Sequence, residues 1–367
     1  MRAGMVLEAL SANYRVSLLV ITAPHHEGHK RDVPAALSSL CESVKVLEPG
    51  GDMRDKMRRA AEACVGQQFD VVHVFRLSTV GYAQPYLKAG PAAAARHLDL
   101  DDIDSKTKAR LAELYRQTGR TSLAGREEQN VKRLELLEAV AFRTFDRIYV
   151  CSESDRREIL ARCACLEGSQ PDVCVLPNAV RRLAGKHHDR VFRFLFVGSM
   201  AYFPNEDAVR FFCSEVLPII RTRAAVPVMV DVVGELGTAL AGFAAPNVNV
   251  LGAVEDVAPY YQGCDAVVVP IRAGGGSRIK ILEAFSYGRP VVTTTIGVEN
   301  IDARPNHDVL VADTPDSFAS ACLDLMYKPD LRQTLVESAG NLLERLYTLD
   351  RMKGTLSGMP VHREPRA

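Results

Sequence analysis

The stretch DAVVVPIRAGGGSRIKILEAFSYGRPVVTTT (Asp265–Thr295) decides the fold, because it combines two buried strands, a glycine-rich loop and a helix. Its first part, DAVVVPI (Asp265–Ile271), is an apolar, β-branched run typical of a buried parallel strand. Three glycines follow, and then helical spacing runs from about Ser277 to Tyr287 until a glycine and a proline end it. The second apolar run, PVVTTT (Pro290–Thr295), completes a strand–helix–strand unit.

The same alternation of short apolar runs and longer amphipathic segments extends along the whole chain. It predicts an α/β protein in which crossover helices join parallel strands into two doubly wound, Rossmann-like sheets. The predicted strands are Tyr14–Ile21, Val44–Leu47, Asp70–Phe75, Arg147–Ser152, Phe192–Gly198, Val226–Gly234, Asn247–Gly252, Asp265–Ile271, Pro290–Thr295 and Asp308–Asp313. A helix is predicted over Arg133–Phe145.

A basic, His-containing stretch without apolar periodicity, Arg181–Arg190, is the best candidate for a linker. A chain of 367 residues normally forms two domains of ordinary size. We therefore expect a first domain over 1–180, a linker over 181–190 and a second domain over 191–345. A C-terminal tail, 346–367, can return to the first domain.

Composition excludes some classes of function. The 45 basic and 45 acidic side chains give a formal net charge of zero, which argues against wholesale nucleic-acid binding. The nine cysteines show no CxxC pair and no zinc spacing, so we predict no metal site. A cytoplasmic protein with reduced thiols is the simplest interpretation. MRDKMRRAAEACV (Met53–Val65) could lie on an anionic inner-membrane surface, although a solvated helix face is the simpler interpretation.

The glycine-rich loop has the features of a phosphate site. It leaves the carboxyl end of a strand and leads into a helix N-terminus, where backbone N–H groups attract anions. Arg278 and Lys280 can add charge-assisted bonds to a diphosphate, and Glu283 suits a pair of ribose hydroxyls. The spacing matches neither a P-loop nor a nicotinamide-dinucleotide motif. The alternative is a purely structural turn in which Glu283 pairs with a nearby base.

From Phe194 to about Met326 the chain resembles the retaining glycosyltransferases of family 4, which have the GT-B fold. The resemblance rests on FLFVGSMAYFPN, VDVVGE, NVNVLGAVEDVAPYYQGCDAVVVPI and GGGSRIKILEAFSYGRPVVTTTIGVENI, in this order and spacing. The GGGxRxKxLEA form is similar to a subgroup associated with bacterial polysaccharide and secondary-metabolite glycosylation. The first half matches more weakly, through FDVVHVF, IYVCSESDR and VLPNAV.

The resemblance implies that the second domain binds a nucleotide-diphosphate sugar, with UDP or GDP as the nucleotide. The first domain would bind the acceptor, a glycan, lipid-linked or small-molecule hydroxyl, and neither cofactor nor metal is required. Gly276, Ser277 and Arg278 would face the diphosphate, and Glu283 would hold the ribose. The implied donor-binding residues are Gly198, Ser199, Gly234, Val254, Gly275, Gly276, Ser277, Arg278, Lys280 and Glu283. Asn178 would lie close to the cleft between the domains.

Three departures from the family pattern are visible. Ser199 and Asn205 stand where many relatives carry an Arg and a Lys, and we expect Arg278 and Lys280 to supply that charge from the other loop. Gly275 stands where relatives often have a glutamate near the donor sugar. The chain starts in what is typical of the helix after the first strand, so either the start of the sequence is placed too late or the first domain lacks that strand and its glycine-rich loop. A partner chain could cover the resulting surface.

RHLDLDDIDS (Arg96–Ser105) contains the candidate catalytic groups. Relatives often place a His or Asp at the end of the equivalent strand, and the options are His97, Asp99 and Asp102, of which Asp99 fits the strand end best. For Asp102 a capping role is favoured. The alternative is that the acidic cluster caps the helix that begins near Ser105. In a retaining reaction the leaving diphosphate can take the acceptor proton, so no dedicated protein base is required.

Two kinds of function remain open. The first is a sugar-transferring enzyme. The second is a non-catalytic, glycosyltransferase-like protein that binds a nucleotide or scaffolds a partner, which Gly275 and the short N-terminus favour. The set Arg278, Lys280 and Glu283 favours the enzyme. A two-domain dehydrogenase is excluded because the nicotinamide fingerprint is missing.

Overall fold

The structure is a computed structural model, and it describes residues 2–22, 33–48, 52–63, 67–87, 94–166, 170–180, 191–235, 247–275 and 278–357. The chain divides into two compact units. The first comprises Met1–Ser105, Asn130–Asn178 and Leu349–Ala367, and the second comprises Lys106–Gln129 and Ala179–Thr348.

All strands of the described residues pair in parallel, as expected for strands joined by crossover helices. The strands are β1 (Ser17–Ile21), β2 (Ser43–Leu47), β3 (Val71–Phe75), β4 (Ala95–Asp99), β5 (Arg147–Val150), β6 (Asp172–Val175), β7 (Phe192–Val197), β8 (Val228–Val233), β9 (Val248–Gly252), β10 (Ala266–Val269), β11 (Val291–Thr293) and β12 (Leu310–Val311).

In the described residues, helices lie between most consecutive strands. They are α1 (Arg2–Ser11), α2 (Ala35–Ser38), α3 (Met53–Ala63), α4 (Val80–Ala83), α5 (Asp104–Gln117), α6 (Thr121–Thr144), α7 (Glu153–Ala164), α8 (Phe203–Phe211), α9 (Leu217–Arg223), α10 (Ala258–Gly263), α11 (Ile279–Ser286), α12 (Thr295–Val298), α13 (Pro315–Tyr327), α14 (Pro329–Leu346) and α15 (Leu349–Ser357). Among these helices none is both long and apolar enough to cross a membrane.

The first unit contains a two-stranded sheet, β1–β2, and a four-stranded sheet in the order β3-β4-β5-β6. In its described residues α1 is the first element. One face of the four-stranded sheet is apolar, with Leu98, Ile148 and Val173 packed against Phe142 and Ile159. Because side chains alternate along a strand, the opposite face carries the residues between them. It is called the polar face below, since it includes His73, His97, Asp99 and Tyr149, although Val71, Phe75 and Ala95 also lie on it. This polar face contains the candidate catalytic residues of β4.

The second unit is one six-stranded sheet in the order β12-β11-β10-β7-β8-β9. Its strands are apolar on both faces, and Leu195, Phe196, Val267 and Val268 are at most 1% exposed. Helices on both sides bury these residues, which is why the strands read as continuous apolar runs rather than alternating ones. The buried sheet therefore supports the loops that leave the carboxyl ends of its strands.

The units differ from the predicted domains in one respect. Residues 106–129 were expected in the first domain and belong to the second unit, while 349–367 belong to the first unit. The reason for the first difference is aromatic packing, since Tyr115 of α5 stacks on Phe203 of α8 with ring centres 4.8 Å apart. The helix predicted over Arg133–Phe145 also begins earlier, at Thr121, as α6. The predicted linker 181–190 lies outside the described residues.

Candidate functional site

The strand order places a topological switch point in the second unit. From the central strand β7 the chain runs outward through β8 and β9, and it then returns to run outward on the other side through β10, β11 and β12. The connections that leave β7 and β10 therefore diverge, and ligands of doubly wound sheets bind in the crevice at that point. Gly198 directly follows β7, and the loop 273–278 lies between β10 and α11.

The end of β7 is crowded by polar groups. A Cβ atom on Gly198 would lie 2.8 Å from Asn205 Nδ2 and 2.9 Å from Lys280 Nζ. Gly234, at the end of β8, has a φ of 142°, and a Cβ atom there would lie 2.0 Å from the carbonyl oxygen of Gly198. Gly234 therefore needs glycine because of the backbone itself, whereas a side chain at position 198 would displace the ends of Asn205 and Lys280.

Lys280 brings an ammonium group to this strand end. Its Nζ donates to Asn205 Oδ1 at 2.9 Å and lies 4.4 Å from the centre of the Phe196 ring. Burial, together with the positive charge of Arg278, lowers the pKa of Lys280 to about 7, and the carboxylate of Glu283 acts in the opposite direction. At neutral pH the amine is therefore balanced between its charged and neutral forms, and an anion beside it would favour the charged form.

Asn205 and Ser199 occupy the positions where many relatives carry basic residues. Asn205 accepts from Lys280, and its Nδ2 donates to the carbonyl oxygen of Ser199 at 2.8 Å. The hydroxyl of Ser199 donates to Glu235 at 3.4 Å. Lys280 of α11 thus contacts Asn205, the residue for which the family resemblance implies a lysine. That Lys280 supplies the missing charge to a phosphate stays a prediction.

Glu283 lies one turn beyond Lys280 on the same face of α11. Its Oε2 accepts a hydrogen bond from the Tyr261 hydroxyl at 2.9 Å, and the Tyr261 ring stacks on Tyr287 with centres 5.1 Å apart. Burial raises the pKa of Glu283, while the Tyr261 hydroxyl and the Lys280 charge lower it. An ionised carboxylate accepts several hydrogen bonds, so the contact with Tyr261 leaves capacity for ligand hydroxyls.

Arg278, expected to face a diphosphate, donates to the backbone of its own surroundings. Nη1 donates to the carbonyl oxygen of Gly275 at 2.9 Å, and Nη2 donates to those of Gly274 at 3.2 Å and Ile296 at 3.3 Å. The residue is 7% exposed. The side chain therefore shapes the glycine-rich loop and adds positive charge near Lys280. Direct contact with a phosphate stays a prediction.

The remaining residues predicted for the donor site are Gly275, Val254, Gly276 and Ser277, and their roles stay predictions. Gly275 lies in the loop and accepts the bond from Arg278. Val254 is partly buried and packs against the core of the second unit. Gly276 and Ser277 lie outside the described residues. The structure thus brings Gly198, Lys280 and Glu283 to one edge of the sheet, with α11 as the common support.

In the first unit, Asp99 is fully buried and held by Arg2. The guanidinium donates to both carboxylate oxygens, at 2.9 and 3.0 Å, and also to the carbonyl oxygen of Leu176 and to Asn178 Oδ1. Burial raises the pKa of Asp99 above its ordinary value even with Arg2 beside it. Asp99 and Asn178 are therefore joined through one arginine, and the catalytic role of Asp99 stays a prediction.

His97 lies on the same polar face, one alternate position before Asp99. It is 2% exposed, and its ring lies 6.3 Å from that of His73 and 5.8 Å from that of Tyr149. Burial lowers the pKa of His97 to about 3, and the neighbouring His73 and Arg147 act in the same direction. The imidazole is therefore neutral at physiological pH. Its catalytic role also stays a prediction.

Sequence reasoning missed two residues that hold these groups. Tyr261 supports Glu283 from 22 positions away, and Arg2 supports Asp99 from 97 positions away. No spacing in the sequence indicates either pair. Among the described residues, no three His, Cys, Asp or Glu side chains lie close enough to share a metal ion.

A family model matches part of the second unit. Residues 191–328 match the family model described as "Glycosyl transferases group 1". The matched span runs from β7 to the end of α13 and includes Gly198, Lys280 and Glu283. No curated protein sequence matches the chain.

Solved structures share the fold at low sequence identity. Sucrose-phosphate synthase from Thermosynechococcus elongatus has a TM-score of 0.67 and 14% identity, covering 96% of this chain and 90% of that one. Anabaena Alr3699/HepE in complex with UDP and glucose has a TM-score of 0.63 and 14% identity, covering 97% and 95%. TarM from S. aureus has a TM-score of 0.62 and 12% identity, covering 84% and 58%. The chain therefore has the GT-B fold of glycosyltransferases, and its residues 191–328 match glycosyl transferases group 1.

Proposed function

We propose that this protein is a glycosyltransferase that moves a sugar from a nucleotide-diphosphate sugar to a hydroxyl acceptor. The observation that carries the proposal is the position of Lys280, whose ammonium lies beside Gly198 at the switch point. A cation, a helix N-terminus and a glycine at the end of a central strand together form a diphosphate site. The family match over residues 191–328 supports a sugar donor rather than another phosphate ligand.

The charges of the site fit a leaving diphosphate. When the glycosidic bond to the donor phosphate breaks, negative charge grows on the phosphate oxygens, and preorganised cations and dipoles stabilise it. Lys280 supplies the cation, Arg278 adds charge, and the N-terminus of α11 adds its dipole. These groups replace the charge of a metal ion, so we propose a metal-independent reaction. We also propose retention, in which the leaving diphosphate takes the acceptor proton.

Glu283 would hold the ribose hydroxyls of the donor. It lies one turn from Lys280, and a diphosphate bound near Lys280 places a nucleoside sugar further along the same helix face. Tyr261 orients one carboxylate oxygen and leaves the carboxylate further acceptor capacity. We propose UDP as the first nucleotide to test, because HepE was solved with UDP and with UDP-glucose. GDP is the second.

The first unit is the proposed acceptor site, for a glycan, lipid-linked or small-molecule hydroxyl. Its polar sheet face carries Asp99, Asn178 follows β6 in the chain, and Arg2 donates to both side chains. We propose that these groups contact the acceptor or the reacting sugar, with Asp99 as the stronger candidate.

Donor hydrolysis tests this function without knowledge of the acceptor. The purified chain is incubated with UDP-glucose, UDP-N-acetylglucosamine or GDP-mannose, with and without EDTA, and released nucleotide is measured. The anomer of the released sugar is followed by NMR. We expect release from one donor, resistant to EDTA and with the donor's anomeric configuration. Lys280→Met should abolish release, whereas Lys328→Met, an exposed lysine of the same unit paired with Asp324, should not.

The opposite results have distinct meanings. Nucleotide binding without release from any donor would support a non-catalytic nucleotide-binding protein. Release that EDTA abolishes would contradict metal independence alone. Release that survives Lys280→Met would overturn the proposed diphosphate site.

A further inference from the structure

Residues 106–129, called the arm below, pack within the second unit although they are flanked on both sides by residues of the first. The arm contains most of α5 and the first turns of α6. Its Leu111 and Leu114 are buried, and Tyr115 stacks on Phe203 at 4.8 Å. The guanidinium carbon of Arg120 lies 4.1 Å from the centre of the same Phe203 ring. Apolar and aromatic packing therefore anchor the arm on α8.

One arm residue reaches the glycine-rich loop. Arg110 donates from Nη2 to Glu299 Oε1 at 2.7 Å and from Nη1 to Glu299 Oε2, which makes a bidentate ion pair. The same Nη1 donates to the carbonyl oxygen of Gly274 at 3.3 Å. Bidentate pairing fixes the plane of a guanidinium, so Glu299 sets the direction in which Arg110 meets Gly274.

Glu299 is suited to this anchoring role. Burial by itself would raise the pKa of Glu299, but the hydrogen bond from Arg110 and the charges of Arg110, Lys106 and Arg278 outweigh it and lower the pKa. The carboxylate is therefore ionised at neutral pH. Lys106 lies 3.6 Å from Glu299 Oε1, so two arm cations meet one carboxylate.

The Gly274 carbonyl is held from two sides. Arg278 donates to it at 3.2 Å from the start of α11, and Arg110 donates to it from the arm. The other side of Gly274 faces Tyr202, whose hydroxyl would lie 2.8 Å from a Cβ atom built there. Gly274, which follows β10, is thus surrounded by the side chains of Arg278, Arg110 and Tyr202.

We propose that Arg110 is a positioning residue for the donor, acting through the Gly274 carbonyl on the loop that precedes α11. The inference rests on the proposed function, because the loop matters for catalysis through the diphosphate that it borders. A loop displaced by even 1 Å is enough to weaken reactions that depend on orientation. The arm, which lies outside the matched family span, thereby becomes part of the donor site.

The test combines loop dynamics with nucleotide binding. Hydrogen exchange of the peptide over 273–280 is measured without ligand for the wild type, Arg110→Ala, Arg110→Lys and Arg116→Ala. Arg116 is the matched control, since it lies on the same helix and pairs with Glu113 and Glu128 within the arm. UDP affinity is measured by calorimetry for the same variants, and thermal unfolding confirms that each is folded.

We expect faster exchange of this peptide in Arg110→Ala and about tenfold weaker UDP binding, since one charged partner is lost. Arg110→Lys should recover part of the affinity, and Arg116→Ala should match the wild type. Unchanged exchange in Arg110→Ala would overturn the proposal, as would faster exchange with unchanged UDP affinity. Failure of the proposed function is distinguishable, because the wild type would then bind neither UDP nor GDP, while the exchange of its loop peptide could still be measured.

Discussion

The affinity for a nucleotide sugar should fall as the pH rises through 7, because Lys280 must be protonated to hold a diphosphate. Burial lowers the pKa of the unliganded amine to about 7, and the charge of Arg278 contributes. A bound diphosphate favours the ammonium form and raises that pKa. The complex then binds more protons than the free protein, so the affinity is greatest below pH 7 and is lost above it.

The size of the effect follows from the pKa. A group with a pKa of about 7 is ~0.9 protonated at pH 6 and ~0.1 protonated at pH 8. The affinity should therefore fall about tenfold over this range, which is ~1.4 kcal/mol. If the amine returns to the ordinary lysine pKa in the complex, binding at pH 8 takes up about 0.9 proton.

Calorimetric titration with UDP-glucose measures both quantities. Each phosphate of this donor is linked on both sides, by one ester bond and one anhydride bond, so its charge is constant between pH 6 and pH 8. Titrations in two buffers with different ionisation enthalpies give the number of protons taken up. Lys280→Arg keeps its charge throughout and should give a flat profile. Lys280→Met should bind weakly at every pH, and Lys328→Met should follow the wild type.

Glu283 determines how the affinity for a nucleotide sugar changes at low pH. Burial raises its pKa, and protonation at low pH removes an acceptor for the ribose, so the affinity should also decline in acid. Two results would refute the reasoning about Lys280. The first is a wild-type affinity that does not change between pH 6 and pH 8. The second is a Lys280→Arg profile that falls as steeply as that of the wild type.

Three further substitutions test single contacts. Gly234→Ala forces a Cβ atom to within 2.0 Å of a carbonyl oxygen at a φ of 142°, and we expect a loss of about 3 kcal/mol or more in urea unfolding. A loss below about 1 kcal/mol would contradict the close packing of β7 and β8. Tyr261→Phe removes the bond to Glu283 and should weaken UDP binding about fivefold, or ~1 kcal/mol, in calorimetry, whereas unchanged affinity would separate Glu283 from the ligand. Arg2→Met leaves Asp99 buried without its cation and should cost about 3–5 kcal/mol of unfolding free energy, measured in urea; near-neutral stability would show that the carboxylate finds another partner.

Local patterns in the sequence were enough to predict the sheet of the second unit. Buried parallel strands read as unbroken apolar runs, and the run Asp265–Ile271 contains β10 as observed. The glycine-rich loop and the helix after it follow from turn chemistry, so α11 was expected at about Ser277–Tyr287 and is found over Ile279–Ser286. Ligands of doubly wound sheets bind at the carboxyl ends of the strands, so the predicted fold also predicts which edge of the sheet holds the site.

Side-chain partners could not be predicted in the same way, because they depend on residues far apart in the chain. Arg110 and Glu299 are 189 positions apart, and no periodicity connects them. Arg278 was expected at the phosphate because of its charge and position, and this stays a prediction. The sequence did not indicate that its guanidinium also donates to backbone carbonyls of the glycine-rich loop.

The ribose role of Glu283 rests on its place beyond the predicted phosphate site and on the resemblance to family 4. The structure adds that Tyr261 donates to Glu283, one turn from Lys280. The sequence also led us to expect that basic residues of the second loop replace the missing charge of the first. The bond between Lys280 and Asn205 brings the two positions together, and their action on a phosphate stays a prediction.

The most direct test of the donor site is calorimetric titration of the purified chain with UDP, GDP and ADP, repeated with Glu283→Ala. We predict that one nucleoside diphosphate binds and that the substitution weakens it about tenfold or more, because a charged hydrogen bond to the ribose is lost. Lys328→Met should bind as the wild type does. No binding of any of the three nucleotides, or binding that Glu283→Ala leaves unchanged, would contradict a donor site built on α11.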